Sequence, residues 1–371
     1  MNTLRVGLIV NPIAGLGGAV SLKGSDGVAD EALARGAIPQ SEARATEALS
    51  LMRQLAEALT VITGAGPLGE DAAMEAGWPV EVIYHAPVRT TAQDTVQLAR
   101  RLSTLRVDLL LFAGGDGTAR DVADGVDDWL PVLGIPAGVK MHSGVFATTP
   151  KAAGLLALGF LRSTARRVAK QEVMDLDEGA VRDGHINPML YGYLSVPENP
   201  RLLQGRKVSA VAGDSVAAEA IAASVVDEME PDVVYLIGPG STTWAVKRVL
   251  GDHASLLGVD AYLNRQLLVR DATAAQLEAI TTGRPARALV TCIGGQGHIF
   301  GRGNQQFSGT LVRRLGRANV RVLATPSKLQ SLSGRPFIAD LHDPEAEKEM
   351  SGYVEVVSGY RSRAYYRCEA T

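Results

Sequence analysis

Short apolar runs alternate along the chain with stretches in which apolar residues recur at every third or fourth position. Residues 4–10, LRVGLIV, read as a buried strand ending at Asn11-Pro12. Residues 42–59 set Ala45, Leu49, Met52, Leu55, Ala56 and Leu59 on one helical face. Short strands follow at 61–63 and 80–84. A helix over 92–105 carries Val96, Ala99, Leu102 and Leu105 along one side. The run 107–113, VDLLLFA, reads as the next buried strand, 119–126 as the start of a helix, and 132–135 as a further short strand. Such alternation predicts a parallel sheet covered on both faces. Ligands of such sheets bind beyond the C-terminal strand ends.

The texture changes after Val139. Residues 152–167 read as a helix ending in Arg166-Arg167, where cations suit the helix dipole. Strand material follows over 173–196, broken by the turn signals Gly179, Asp183-Gly184 and Pro188, and Asp183-Gly184 suits a hairpin. Further on, the pattern predicts helices at 215–228, 244–250 and 276–281, and strands at 233–237, 288–293 and 320–325. Residues 353–357 and 364–368 form a terminal hairpin. There is no internal repeat. The expected class is α/β with two domains: a doubly wound parallel sheet over 1–150, and a β-rich domain with helices over 151–371. The boundary lies near 145–165, and the last strands can return toward the first domain.

Composition narrows the function classes. A chain of 371 residues with 46% apolar content has enough material for two cores. Aromatics are only 5% against 40 glycines, which suits an α/β enzyme with many tight turns. A net charge of −3, without a block of like charges, argues against nucleic-acid binding through a basic surface. Two cysteines, Cys292 and Cys368, cannot build a disulfide framework, so a reducing cytoplasmic setting is expected. The histidines show no paired spacing for zinc. The N-terminus lacks signal-peptide anatomy. Apolar stretches such as 152–160 fall far short of the ~20 residues that a membrane span needs.

The chemistry concentrates in glycine loops after predicted strands. Gly114-Gly115-Asp116-Gly117-Thr118 joins a strand to a helix start, where glycine N–H groups and the helix dipole favour phosphate. A carboxylate there repels phosphate, so Asp116 is better placed as a base or opposite a metal ion. The alternative is a plain βα turn with Asp as helix N-cap. Between Val10 and Glu42 lies a long segment with glycines at 15, 17, 18, 24 and 27. It reads as a phosphate-binding flap with Lys23 as a point charge, or as a surface loop. Gly134-Ile135-Pro136-Ala137-Gly138-Val139-Lys140 is a third loop, followed by His142, a residue type that titrates near neutrality. Gly240-Ser241-Thr242-Thr243 is a fourth, whose hydroxyls can bind phosphate or ribose or cap the next helix. Residues 294–306 are dense in glycine and polar side chains, with Arg302, Asn304 and Gln305 as candidate substrate contacts. Asp175, Asp177 and Glu178 form either a metal-binding cluster or a solvated turn.

Three of these loops, in order, resemble the signature of the NAD kinase and diacylglycerol kinase superfamily: Asn11-Pro12-Ile13-Ala14-Gly15, GGDGT and the 134–140 loop. Gly240-Ser241-Thr242-Thr243-Trp244 is similar to an element of the NAD kinase C-terminal domain. With VKMHSGVFA at 139–147 and LYGYL at 190–194, the chain resembles bacterial ATP-NAD kinase family proteins, a branch that includes proteins encoded with acetoin-catabolism genes. The resemblance implies transfer of a phosphoryl group from ATP or polyphosphate, with Mg²⁺, to a hydroxyl, foremost the adenosine 2′-hydroxyl of NAD. It implies Asp116 as the catalytic residue. Asn11, Gly15, Lys23, Gly114, Gly115, Gly117, Thr118 and Lys140 would hold the donor. Gly240, Ser241, Thr242, Thr243, Arg302, Asn304 and Gln305 would face the acceptor. Two departures stand out. The Asn-Glu pair by which NAD kinases grip ribose has only Glu198-Asn199, in reversed order, as a counterpart. Met141-His142 stands where diacylglycerol kinases have Asn-Asp. A kinase of another small alcohol or lipid, and a non-catalytic dinucleotide sensor, remain as alternatives. The expected partners are nucleotides and dinucleotides, with neither nucleic acid nor membrane, in a homo-oligomer of two or four chains. On these grounds Asp116→Asn should leave the turn folded and remove the base.

Overall fold

A computed structural model of the chain describes residues 3–20, 29–55, 58–87, 89–138, 141–176, 188–199, 202–203, 214–251 and 253–370. The chain forms two compact units. One comprises Met1–Leu16 and Ile38–Arg206, the other Gly17–Ala37 and Lys207–Thr371.

In the first unit, β1 (Leu4–Val10), β2 (Leu59–Gly64), β3 (Val80–Tyr84), β4 (Leu109–Gly114) and β5 (Val132–Pro136) form one sheet in the order β3-β2-β1-β4-β5. All four pairings are parallel. This is the doubly wound arrangement the alternating pattern predicts. The strand order reverses between β1 and β4, the place where such sheets bind ligands. β1 and β4 are buried along nearly their whole length, as parallel strands covered on both faces must be.

The helices of this unit are α2 (Ser41–Ser50), α3 (Glu70–Glu75), α4 (Ala92–Thr104), α5 (Asp116–Gly125) and α6 (Pro150–Arg162); α1 (Ala29–Ala34) belongs to the second unit. The apolar stripe expected over 42–59 is only partly one helix. α2 stops at Ser50, a 3-10 turn spans Arg53–Leu55, and the chain is already extended at Leu59. α4 begins with a reciprocal cap, Thr91 with Asp94, the third residue of the helix. α6 begins at Thr149, whose hydroxyl accepts from Ala152 N, with Pro150 in its first turn.

The expected boundary near 145–165 lies inside this first unit. Ala152, Ala153, Leu156, Ala157, Phe160 and Leu161 of α6 share one apolar core with β1, β4 and β5. An antiparallel pair, β6 (Val168–Leu176) with β7 (Pro188–Pro197), belongs to the same unit. The expected Asp183-Gly184 turn between them lies outside the described residues.

The second unit is built on a nine-stranded mixed sheet, order β10-β9-β8-β11-β13-β15-β16-β14-β12. Its strands are β8 (Val234–Ile237), β9 (Asp260–Leu263), β10 (Gln266–Val269), β11 (Ala286–Val290), β12 (His298–Phe300), β13 (Val320–Leu323), β14 (Phe337–Ala339), β15 (Gly352–Gly359) and β16 (Ser362–Ala370). β8, β11, β13 and β15 run parallel as neighbours. β15 and β16 are the predicted terminal hairpin. The helices are α7 (Asp214–Asp227), α8 (Ser241–Leu250), α9 (Ala274–Thr281), α10 (Gly309–Leu315), α11 (Pro326–Ser331) and α12 (Pro344–Met350). Two apolar clusters built around sheet strands form its core. The segment Gly17–Ala37, placed by sequence in the first domain, belongs here. A Cβ on Gly18 would stand 2.7 Å from Gln305 Oε1, so this position lies against the 301–306 loop. No helix among the described residues is long and apolar enough to cross a membrane.

Candidate functional site

Three loops meet where the order of the first sheet reverses. β1 and β4 end in register, Val10 opposite Ala113, and Asn11 N donates to Ala113 O at 3.0 Å. The Asn11 side chain then spans to the next loop, Nδ2 donating to Thr118 Oγ1 at 2.9 Å, while its Oδ1 accepts from Ile13 N at 3.2 Å. The third loop closes on the second: Ala137 N and Gly138 N both donate to Gly114 O, at 2.9 and 3.0 Å. Gly15 closes the first loop on the third. Its φ is +77°, and a Cβ there would stand 2.1 Å from Ala137 O, so only glycine fits. Gly114 is crowded too, since a Cβ would fall 2.3 Å from Thr118 Oγ1.

Asp116 is the first residue of α5, and the N-cap is Gly115, which carries no side chain to cap with. The simple N-cap alternative for Asp116 therefore does not hold. Its buried carboxylate reaches out of its own helix. Oδ2 accepts from His142 N at 2.6 Å and Oδ1 from Ser143 N at 3.0 Å. The acid thus fastens the GGDGT turn to the chain that follows the third loop. Asp116→Asn consequently differs from the sequence expectation. An amide accepts through one atom only, so its NH₂ would face one of these N–H groups. Arg44, buried on α2, supports the third loop by donating to Pro136 O at 2.5 Å. Lys23 and Lys140 lie outside the described residues.

The second unit repeats the theme with different chemistry. Gly240, at φ +123°, is the N-cap of α8, and a Cβ there would stand 2.4 Å from Thr291 Cγ2. No side chain caps this helix; the Thr243 hydroxyl donates back to Gly240 O at 2.9 Å. Capping thus does not explain the hydroxyls of the loop. Thr242 Oγ1 accepts from Lys328 Nζ at 2.9 Å, and Thr291 Oγ1 accepts from the same atom at 3.1 Å. Burial pushes the pKa of Lys328 down, partly offset by Cys292 and Asp214 nearby. Lys328 and Thr291 escaped the sequence reading, although Thr325-Pro326 announces the helix on which Lys328 sits: Thr325 accepts from Lys328 N.

Arg302, Asn304 and Gln305 occupy the loop after β12. Asn304 Nδ2 donates to Ile299 O at 2.8 Å and Gln305 Nε2 to Gly301 O at 3.1 Å, so both amides hold their own loop. Their oxygens, Asn304 Oδ1 and Gln305 Oε1, are buried without a hydrogen-bond partner among the described residues. Arg302 is buried beside them in sequence. Among the described residues no group of three His, Cys, Asp or Glu side chains stands ready to hold a metal ion. Of the acidic cluster, Asp177 and Glu178 lie outside the described residues.

A parallel sheet in the order 3-2-1-4-5, with glycine loops gathered at its reversal point and one carboxylate among them, defines a doubly wound α/β protein whose loops meet where such sheets bind ligands. The chain belongs to the ATP-NAD kinase family: the model of the ATP-NAD kinase N-terminal domain matches residues 6–163, and that of the ATP-NAD kinase C-terminal domain matches residues 230–368. A comparison with curated proteins finds no match.

Proposed function

We propose that the protein transfers the terminal phosphoryl group of ATP, or of polyphosphate, to an alcohol, and that this alcohol is the adenosine 2′-hydroxyl of NAD, giving NADP. Membership of a kinase family supports the first half. The observation that carries the reading is the convergence of the Asn11–Gly15, GGDGT and Ala137-Gly138 loops around Asp116. The glycine N–H groups of the GGDGT turn and the first turn of α5 hold the donor phosphates, with Lys23 and Lys140 as counter-charges. Asp116 orients the acceptor hydroxyl and takes its proton. Each carboxylate oxygen accepts one backbone N–H, which fixes the carboxylate for this task. The acceptor oxygen forms a bond to the terminal phosphorus as the bond from that phosphorus to its bridging oxygen breaks. Ser241, Thr242 and Thr243, with Arg302, Asn304 and Gln305, serve the acceptor.

One carboxylate and one hydroxyl suit Mg²⁺, which keeps several waters and is carried largely by substrate phosphates. Asp116 and Thr118 are the groups that would face it. It would supply charge neutralisation on the transferring group.

Incubation with ATP or polyphosphate, Mg²⁺ and NAD should yield NADP, read by an NADP-specific dehydrogenase. No product from NAD or NADH overturns the acceptor. One observation favours a different acceptor: Glu198-Asn199 is a turn at the end of β7, with Glu198 N donating to Arg167 O and Asn199 O accepting from Leu202 N and Leu203 N. Another favours the dinucleotide sensor, which would retain Asp116 for its two backbone bonds alone. Binding of NAD with no turnover toward any alcohol selects the sensor. The exposed Met189, Leu190, Tyr191 and Tyr193 of β7 support the homo-oligomer, which sedimentation of the purified chain tests.

A further inference from the structure

Lys328 is the point where three loops of the second unit meet. They leave the C-terminal ends of β8, β11 and β13, which are parallel neighbours. The β8 loop brings Thr242, the β11 loop brings Thr291, and the β13 loop brings Lys328 itself. The two hydroxyls take two of the three ammonium protons. Among the described residues no acceptor takes the third, and no carboxylate forms an ion pair with Nζ. Asp214 attracts it from farther away, and its own Oδ1 is bonded by the Ser327 hydroxyl.

A fully buried lysine of the same unit shows what a structural one looks like. Lys247 is 1% exposed, and its Nζ reaches Asp260 Oδ2, Ser255 O and Gly258 O, each at 2.9 Å. Its three protons and its charge are all answered. Lys328 is only partly buried, and its hydrogen bonds go to neutral hydroxyls alone, with Asp214 attracting it from farther away. A cation drawn partly out of water without a paired carboxylate is costly.

The surroundings point to the sign of the missing group. Thr242 lies in the first turn of α8, whose leading N–H groups have no side-chain cap. The α8 dipole presents positive charge at that end. Gly240 brings this turn against Thr291, an approach that any Cβ would block. The ammonium, two hydroxyls and uncapped N–H groups form a donor set with no negative member.

We propose that Lys328, Thr242, Thr291 and the first turn of α8 form an anion site that takes a phosphate or diphosphate group, with Lys328 as its cation. The site deepens the acceptor half of the function proposed above: the acceptor is a phosphate-bearing molecule, gripped by that group in the second unit. It rests on that reading only for which molecule carries the phosphate.

The test titrates inorganic pyrophosphate into the full chain by calorimetry and records the thermal shift in parallel. Lys328→Met should weaken pyrophosphate binding about 10- to 100-fold, the effect of losing a charge-assisted hydrogen bond. Lys328→Arg should restore most of it. The unliganded melting temperature of Lys328→Met should equal or exceed that of the natural chain, because an uncompensated charge is gone. Unchanged affinity in Lys328→Met overturns the proposal, since pyrophosphate would then be held elsewhere, for instance by GGDGT. Absence of pyrophosphate binding to the natural chain at millimolar concentration overturns it as well. Should Lys328→Met not fold, Thr242→Val gives the same reading: weaker binding supports the site, and unaltered binding overturns it. Failure to form NADP leaves this titration untouched, so the two proposals fail separately.

Discussion

The two units solve one geometric problem with opposite charges. Each gathers three loops at the C-terminal ends of neighbouring parallel strands, and each uses a glycine that no other residue could replace. In the first unit the ionisable group at the meeting point is Asp116, fastened by the N–H groups of His142 and Ser143. In the second it is Lys328, fastened by the hydroxyls of Thr242 and Thr291. The difference lies in how completely the charge is answered. Backbone N–H groups are dipoles aimed at the carboxylate, so Asp116 is held in a fixed direction. Hydroxyls can turn either way and carry no charge, so Lys328 keeps most of its attraction for an incoming anion. The first arrangement suits a group that must hold its place during proton transfer, the second a group that grips.

The sharpest way to break this comparison is Asp116→Asn. Turnover should fall by about 10²–10⁴-fold, the range of lost acid–base help. The same change should lower stability by about 1–3 kcal/mol, because one N–H loses its acceptor in a buried place. A steady-state assay beside a denaturant melt separates the two. Near-normal turnover in a destabilised protein would leave Asp116 as a fastener only.

The next largest effect concerns the two lysines. Asp260→Ala leaves Lys247 buried without its partner and should cost about 3–5 kcal/mol of stability. Lys328→Met should cost little or nothing without ligand. Equal losses in urea melts would erase the distinction between a structural and a receiving cation.

The glycines give a smaller, graded comparison. Gly15→Ala and Gly240→Ala both force a side chain into a strained backbone, about 1–3 kcal/mol each. Gly15→Ala should cost more. Its Cβ would meet the Ala137 carbonyl, which is backbone, whereas at Gly240 it would meet the Thr291 methyl, which belongs to a side chain. The reverse order would show that the first-unit loops are the looser set.

The mildest prediction concerns pH. Burial pushes the Cys292 thiol up to about 11 and, with Glu369 adding to it, the Cys368 thiol up to about 12. Both raised values mean that the folded chain holds these protons longer than the unfolded chain, whose thiols titrate near 9.0. The associated stability is whole below pH 9 and lost progressively as pH rises toward the folded values. Both thiols should therefore resist a thiol-reactive dye at pH 8 and react only on unfolding. Rapid labelling of Cys292 would show that the loop bearing Thr291 opens readily.

Much of the first unit was legible in the sequence. Buried parallel strands are continuous apolar runs, and amphipathic helices repeat at a fixed period, so β1, β3, α4 and β4 fall close to where the pattern puts them. The second unit was less so. α10, α11 and α12 are a turn or two long and give too few repeats for a period to show. Their caps, Ser308, Thr325-Pro326 and Asp343-Pro344, are readable only once a helix is suspected. The extent of α2 was overdrawn because apolar residues of a following turn and strand happened to fall in phase.

Local sequence sufficed for the glycine loops, the carboxylate in the second of them and the family, since each depends on residues adjacent in the chain. Tertiary structure alone decided that α6 and the β6–β7 pair join the first unit, because burial depends on which core they meet. It alone decided that Asp116 binds residues 26 and 27 positions away, and that Lys328 lies between threonines 86 and 37 positions away. Hydrogen bonds act over about 3 Å whatever the separation along the chain. A chain pattern records neighbours in sequence, and only folding makes neighbours in space.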